Sequence, residues 1–188
     1  MKKLLALCAA IFLLCGTISG CGQEPSPLPV VSTTFYGQSF PGISLPIGTF
    51  QEQFNEKAPE GYGVDFSENA TNYYKQVWED GTQLSLTYDD TNESIVSVHL
   101  SFSLSELPDT DRRDDLAGIT LSILNPSSTE EQRAQALQEL GLNEASFDSW
   151  EEGQEQETSL NGLHVTAQKS NGSLTLEIYP ESEEVSQG

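Results

Sequence analysis

The sequence predicts an α+β domain in which antiparallel β-meanders pack one apolar face against helices. Two stretches alternate apolar and polar residues, as half-buried strands do, and they are interrupted by the turn dipeptides Asp80-Gly81, Asn161-Gly162 and Asn171-Gly172. Each stretch follows a segment whose apolar residues recur at helical spacing. The body at 47–181 has about 135 residues, a length that suits a single domain.

The first half is predicted to begin with a helix and to continue as three strands. Thr49 and Glu52 have the spacing of a capping box, and Pro59 ends the helix. The apolar face of this helix consists of Phe50, Phe54 and Ala58. The strands that follow direct alternate side chains into the core, namely Leu84, Leu86, Tyr88, Val96, Val98, Leu100, Phe102 and Leu104.

The second half repeats this order. One helix ends at Asn125-Pro126, and a second is capped by 128–131 and ends at Gly141. Their apolar residues are Leu116, Ile119, Ile123, Leu124, Ala134, Leu137 and Leu140. A meander with two Asn-Gly turns follows, and its core set is Leu163, Val165, Ala167, Leu174, Leu176 and Ile178.

This order predicts two structurally similar helix-plus-meander halves, at about 47–107 and 108–181. Residues 182–188 are expected to form a flexible acidic tail. The element order and the chain size resemble the β-lactamase-inhibitor-protein-like group of duplicated domains, which includes small envelope lipoproteins. The resemblance implies a fold and an envelope-assembly or inhibitor-like role, and it assigns a function to no individual residue.

The N-terminus has the three-part layout of a secretory signal. Lys2 and Lys3 precede an apolar run at 4–14, which is too short to span a bilayer, and small residues follow. The stretch Ile18-Ser19-Gly20-Cys21 closely resembles the lipobox of bacterial lipoprotein precursors, in which small residues precede the cysteine that receives a diacylglyceryl group. An ordinary cleaved signal with a chance cysteine is the alternative.

The lipobox resemblance predicts that residues 1–20 are removed and that Cys21 becomes the lipidated first residue. Bulky Leu13 and Leu14 precede Cys15, and Cys8 lies inside the apolar run, so neither fits the pattern. The mature chain would then have no disulfide and no free thiol for catalysis or metal binding. Two acyl chains anchor a protein stably. We therefore expect an extracytoplasmic location at a bacterial cell membrane or outer membrane. Residues 21–46 are expected to form a Pro/Ser-rich tether, in which a short strand around 28–36 is the one candidate for regular structure.

The chain is strongly acidic. Removing Lys2 and Lys3 with the signal takes the formal net charge from −21 to −23. Such a surface repels nucleic acids and anionic lipid headgroups, so DNA binding and polybasic membrane contact are excluded as functions. The same charge is expected to hold the body of the protein away from the bilayer.

No catalytic or metal-binding motif is present, and no cofactor is expected. His99 and His164 fall on the polar phase of predicted strands, which is typical of solvated histidines. The aspartates of "PDTDRRDDLAG" do not match a calcium loop, because Arg113 and Asp114 occupy the places that need a ligand and a glycine. Capping and dipole stabilisation of a helix N-terminus explain these aspartates better.

Aromatic residues are the remaining candidates for recognition. Tyr73, Tyr74 and Trp78 lie on a predicted strand, where core packing is the commoner role of an aromatic residue. Trp150 lies in an acidic connection, and its polar neighbours make it the better candidate for an interface. The leading hypothesis is a lipid-anchored module that binds a protein or a small molecule. An envelope-assembly or inhibitor-like structural protein is the alternative, and an enzyme is the least favoured class.

Overall fold

The computed structural model describes residues 28–68, 72–106, 110–144 and 147–181. The predicted signal peptide, Cys21, Asp109 and the predicted acidic tail lie outside the described residues. The described chain is a mixed α+β structure of three helices and eight antiparallel strands. In chain order these elements are β1 Val30–Phe35, β2 Gln38–Ser44, α1 Ile47–Lys57, β3 Tyr73–Val77, β4 Gln83–Tyr88, β5 Ser94–Ser103, α2 Thr110–Leu124, α3 Glu130–Glu139, β6 Glu155–Leu160, β7 Leu163–Ser170 and β8 Ser173–Pro180.

Six of the strands form the main sheet in the order β3-β4-β5-β8-β7-β6. The central pair is β5 and β8, where Leu100 lies opposite Leu176. The hairpin β1-β2 joins the N-terminal end of β5 through Ile43 opposite Ile95, on the edge of β5 that β8 occupies further along. The acidic strand β6 ends the sheet, with β7 as its only strand partner among the described residues.

The Asp-Gly and Asn-Gly dipeptides correctly predicted the hairpin turns of the two meanders. Gly81, Asn161, Gly162, Asn171 and Gly172 all have positive φ angles, as tight hairpin turns require. One register detail differs from strict alternation. Thr87 pairs with Ser97 and Tyr88 with Ile95, so Val96 is an extra residue in β5. Ile95 is therefore fully buried, and Val96 is only partly buried.

The segment predicted as a tether is partly a folded hairpin. Residues 30–44 form β1 and β2, which pair along their whole length. The carboxylate of Asp89 attaches the hairpin to the β4–β5 connection, because it accepts a 2.5 Å hydrogen bond from Thr33 Oγ1. Gly42 allows a close approach here, since a Cβ at this position would lie 2.8 Å from Thr33 Cγ2.

The helices begin differently from one another. Helix α1 starts at Ile47 after Pro46, so the predicted Thr49–Glu52 capping box does not form and no side chain caps the helix. Helix α3 has the predicted start, with Thr129 as N-cap and a reciprocal capping box to Gln132. Helix α2 carries a fully buried arginine that ties it to the chain following α3.

That arginine is Arg113, which is 1% exposed. Its guanidinium donates to the carbonyl oxygens of Leu142 at 3.0 Å and Glu144 at 2.6 Å, and it lies over the ring of Phe147. Buried charges are tolerated when hydrogen bonds satisfy them. Arg113 therefore stabilises the turn after α3 rather than facing solvent.

One hydrophobic core unites the helices with one face of the sheet. From the helices it receives Phe50, Phe54, Leu116 and Leu121, all fully buried. From the strands it receives Leu84, Leu86, Val98, Leu100, Phe102, Val165, Ala167, Leu174, Leu176 and Ile178. The opposite face of the same strands is polar and forms the candidate site below.

Candidate functional site

The polar face of the main sheet, here called the open face, lies opposite the core across six strands. Its members are the alternate residues that face away from the core, paired by the strand registers. They are Tyr73, Lys75, Val77, Gln83, Ser85, Thr87, Ser97, His99, Ser101, Ser103, Glu155, Glu157, Ser159, His164, Thr166, Gln168, Ser173, Thr175, Glu177 and Tyr179. The face is rich in hydroxyls and contains both histidines of the chain.

The centre of the open face joins a histidine to a carboxylate and a hydroxyl. His99 lies opposite Glu177 across β5 and β8, with 3.6 Å between His99 Nε2 and Glu177 Oε1. Ser97 Oγ lies 3.4 Å from the same Nε2 atom. The side chains of His99 and Glu177 are 38% and 45% exposed, so water reaches the group.

This geometry differs from that of a nucleophile triad. A triad histidine uses one ring nitrogen for the nucleophile and the other for the carboxylate. Here one nitrogen, Nε2, is the atom that lies near both Ser97 and Glu177, so the two groups are not on opposite nitrogens of the ring as in a triad. The arrangement suits hydrogen-bonded recognition better than activation of Ser97.

A second histidine lies on the other side of β8. His164 Nε2 is 3.6 Å from Glu157 Oε2, and its ring centroid is 4.9 Å from that of Tyr179. Burial, followed by the charges of Glu177, Glu155 and Glu157, raises the pKa of Tyr179. Tyr179 therefore stays a neutral phenol that can donate or accept a hydrogen bond.

Charge is unevenly distributed over the open face. Glu155 and Glu157 on β6 and Glu177 on β8 lie toward one edge, while Lys75 lies on β3 at the opposite edge. Partly exposed carboxylates attract cationic groups over about a Debye length. The β6–β8 side of the face therefore favours a partner with basic or hydrogen-bond-donating groups.

Three of the four aromatic residues singled out from the sequence lie on the core side. Trp150, expected on a solvated connection, is only 5% exposed, and its ring packs edge-on against Phe147. Trp78 is 8% exposed and donates from Nε1 to the carbonyl of Gly63. Tyr74 is partly buried against Phe66 and Tyr88. Core packing was the commoner role expected for Tyr74 and Trp78, whereas the polar neighbours of Trp150 did not indicate its burial.

The exposed aromatic side chains of the described residues are tyrosines. Tyr73 is 48% exposed and Tyr179 is 36% exposed, both on the open face, and Tyr36 is 82% exposed at the tip of β1-β2. Tyr73 was among the candidates from the sequence, and the alternation of polar residues along β8 could have identified Tyr179 as well. Their grouping with His164 and Glu157 depends on strand register, which one sequence does not specify.

Two cavities lie outside the centre of the open face, and Val77 of that face lines one of them. One of about 740 Å³ lies among the helices and is lined by residues such as Lys57, Asp114, Gly118 and Arg133. The other, of about 570 Å³, lies beside Trp78. Both are lined by mixed charges or polar groups and do not form an apolar pocket with converging polar atoms.

The aspartates at the start of α2 form no cation site in the described part of the chain. Within it, no group of three or more His, Cys, Asp or Glu side chains is placed to hold a metal ion. Asp114 Oδ1 is buried without a hydrogen-bond partner, and burial raises the pKa of this carboxyl although neighbouring Arg113 opposes the shift. Asp111 lies in the first turn of α2, where the helix dipole favours an acidic side chain.

No protein-family model matches this sequence, and no curated protein or solved structure matches it. None of the described helices has the length and apolar character needed to cross a bilayer.

Proposed function

We propose that this chain is a bacterial lipoprotein precursor, anchored outside the cytoplasm through Cys21, whose folded body is a binding module for a protein partner. The lipobox pattern before Cys21 supports the anchor. The open face carries the proposed binding function. It is a broad polar surface with exposed tyrosines, and no described element covers it.

A protein partner fits this surface better than a small molecule. Small-molecule sites are concave and mostly apolar, whereas protein interfaces combine aromatic residues with a polar surround. Tyr73 and Tyr179 supply exposed rings, and His99, His164 and Glu177 supply hydrogen-bonding groups between them. Because Glu155, Glu157 and Glu177 lie together, a basic patch on the partner is the expected complement.

The two-halves interpretation belongs to this proposal. The order α1-β3-β4-β5 is followed by α2-α3-β6-β7-β8, and the last strand of each set meets the other at the β5–β8 pair. This arrangement supports the duplicated domain that the sequence resemblance implies. An inhibitor-like or envelope-assembly role using the open face is therefore the alternative function.

The anchor is tested by replacing one cysteine at a time. Cys21→Ala is expected to abolish acyl labelling and detergent-phase partitioning in a bacterial host, because no other cysteine fits the lipobox. Cys15→Ala is the matched control and is expected to keep both properties. A Cys21→Ala chain that still carries lipid would refute the anchor.

The open face is tested by photo-crosslinking in intact cells. A benzoylphenylalanine at Tyr179 or Tyr73 is expected to yield a discrete crosslinked product, and one at the exposed Gln138 of α3 is not. Combining the Tyr179 probe with Glu177→Ala and His99→Ala should remove the product. Equal crosslinking from Gln138, or a product indifferent to these substitutions, would contradict the proposal. The identity of the product separates an enzyme target from an assembly component.

A further inference from the structure

One segment of this highly charged chain has no charge at all. The chain contains 29 acidic and eight basic residues, yet residues 25–51 include no Asp, Glu, Lys, Arg or His. The described part of that segment contains the hairpin β1-β2. Charged groups are costly to bring into contact with a lipid layer, so this is the part of the folded body that such contact penalises least.

The tip of the hairpin presents an aromatic cluster, here called the aromatic tip, formed by Phe35, Tyr36 and Phe40. Tyr36 is 82% exposed, and its ring centroid lies 4.4 Å from that of Phe35. The rings of Phe35 and Phe40 are 6.2 Å apart. Aromatic rings are enriched where proteins meet the headgroup level of a bilayer.

Tyr36 occupies a backbone position that does not suit it. The turn Tyr36-Gly37 has φ angles of 48° and 73°, the signature of a tight turn that normally takes Asn, Asp or Gly first. In the described part of the chain, the other non-glycine residues with positive φ are all asparagines: Asn72, Asn92, Asn161 and Asn171. A strained residue whose side chain points to solvent indicates that the side chain has a role outside the fold.

The aromatic tip is held firmly to the body. Asp90 N donates to Thr34 O at 2.9 Å, and Thr33 Oγ1 donates to Asp89. Tyr36 N donates to Asp90 Oδ1 at 3.3 Å, which places one carboxylate beside the turn. That carboxylate limits immersion, so only the rings of the tip could enter the headgroup layer.

The position of Cys21 brings the hairpin to the bilayer. Nine residue steps separate Cys21 from Val30, a reach of at most about 32 Å. The strand β1 extends about 17 Å from Val30 to Phe35. A lipid at Cys21 therefore confines the hairpin to a layer next to the membrane, with enough chain for the tip to touch the surface.

We infer that the aromatic tip is a membrane-contact site, which inserts its rings among the lipid headgroups of the bilayer that holds Cys21. This inference rests on the proposed lipid anchor. A protein partner for the tip is the competing occupant. The short connection to Cys21 favours the lipid surface, because it keeps the hairpin within reach of the bilayer.

The inference is tested on the chain from Cys21 to Gly188. This chain contains every described element and the whole core, and Cys21 is its single thiol. Coupling that thiol to a single-acyl maleimide supplies the anchor chemically, whether or not a cell attaches lipid. A single acyl chain gives only marginal, reversible binding, so an additional contact becomes measurable. The vesicles are phosphatidylcholine alone or phosphatidylcholine with phosphatidylglycerol at about 7:3.

The first readout is partitioning of Tyr36→Asn against the parent chain. We expect a vesicle partition coefficient roughly fivefold lower, because ring burial is lost, together with an unchanged or raised Tm, because Asn suits the turn. The ratio should be the same in both vesicle types, since the substitution of Tyr36 by Asn changes no charge. Tyr73→Ser, which removes an exposed ring from the open face, is the matched control and should partition like the parent. Equal partitioning of Tyr36→Asn and the parent overturns the inference.

The second readout is the depth to which position 36 enters the bilayer. In a Tyr36→Trp chain, lipid with bromines near the headgroup end should quench roughly half of the added indole fluorescence. A Tyr73→Trp chain should be unaffected, and Trp78 and Trp150 are buried in both. An unquenched indole at position 36, or a signal that depends on protein concentration rather than lipid, also overturns the inference. Failure of cellular lipidation at Cys21 would refute the anchor and leave these measurements interpretable.

Discussion

Asp89 is a buried carboxylate that joins three segments of the chain through one side chain. It is 4% exposed and accepts hydrogen bonds from Thr33 Oγ1, Thr91 Oγ1 at 2.9 Å, and the backbone N–H groups of Glu93 and Ser94. Burial alone would raise the pKa of this carboxyl, but these hydrogen bonds outweigh it and the pKa is lowered. The charged form is therefore the one that the fold stabilises.

This gives Asp89 a stability contribution that depends on pH. A carboxyl whose folded pKa is lowered stabilises the fold above its unfolded pKa, near 3.9, and loses that contribution as the pH falls through the folded value. Asp89→Asn is expected to cost about 2 kcal/mol at pH 7. The difference in free energy of unfolding between Asp89→Asn and the parent chain should shrink as the pH falls from about 4 to about 2. Urea unfolding across this range measures it, with exposed Glu60→Gln as the control. A gap that stays constant would contradict the assignment.

At the scale of secondary-structure elements, the start of helix α3 is specified by a capping box whose two hydrogen bonds both form. Gln132 N donates to Thr129 Oγ1 at 3.1 Å, and Thr129 N donates to Gln132 Oε1 at 2.8 Å. Both hydrogen bonds lie within four consecutive residues, so the sequence is sufficient to specify them. The helix packs against α2 and β6, so its start also positions part of the core.

Thr129→Ala should lower the free energy of unfolding by about 1 kcal/mol, because it leaves the Gln132 N–H without its acceptor. Gln138→Ala, at an exposed position of the same helix, should leave it nearly unchanged. Thermal unfolding followed by circular dichroism measures both. An equal loss in the two variants would show that the cap contributes nothing specific.

Sequence reasoning predicted the elements that local patterns specify. The Asp-Gly and Asn-Gly turns and the period of two identified β3 to β8, and the spacing of Phe50 and Phe54 identified the buried face of α1. It gave β1 only as a short strand inside a tether and missed β2, because Pro, Ser and Thr are typical of tethers and the pairing with β5 is long-range. It also placed Val96 rather than Ile95 in the core, because a bulge cannot be read from alternation.

For the open face, the sequence predicted which side of a strand a residue faces. It did not predict which residues of different strands lie next to one another. His99 and His164 were correctly expected on the polar side of their strands. The pairing of His99 with Glu177 joins strands far apart in the chain and follows only from the β5–β8 register. The burial of Trp150 depends on contacts with Phe147 and Gly141 after the chain has folded.

At the scale of the whole molecule, the β5–β8 pair joins the two ends of the sheet into one structure. Leu100 lies between Leu84 and Leu176 on adjacent strands, and all three are fully buried. Because one core spans both sets of strands, neither can bury its apolar face without the other. Domains with a single shared core unfold cooperatively.

Leu100→Ala is expected to lower the free energy of unfolding by about 3 kcal/mol through a cavity in the centre of the core. Amide exchange should accelerate equally in β4 and β7, and unfolding should remain a single transition. Gln83→Thr on the open face is the control and should change stability by less than about 0.5 kcal/mol. Faster amide exchange confined to β4 would show that the two ends of the sheet unfold independently.

The edge strand β6 has a consequence for proteins crowded on a surface. An unpaired strand edge is a template for joining a second chain, and confinement to a plane raises the frequency of such encounters. In β6 the side chains of Glu155, Gln156 and Glu157 are all exposed, so two such edges meeting would bring like charges together. Electrostatic repulsion between copies would keep neighbouring molecules separate at high surface density and leave each open face unobstructed.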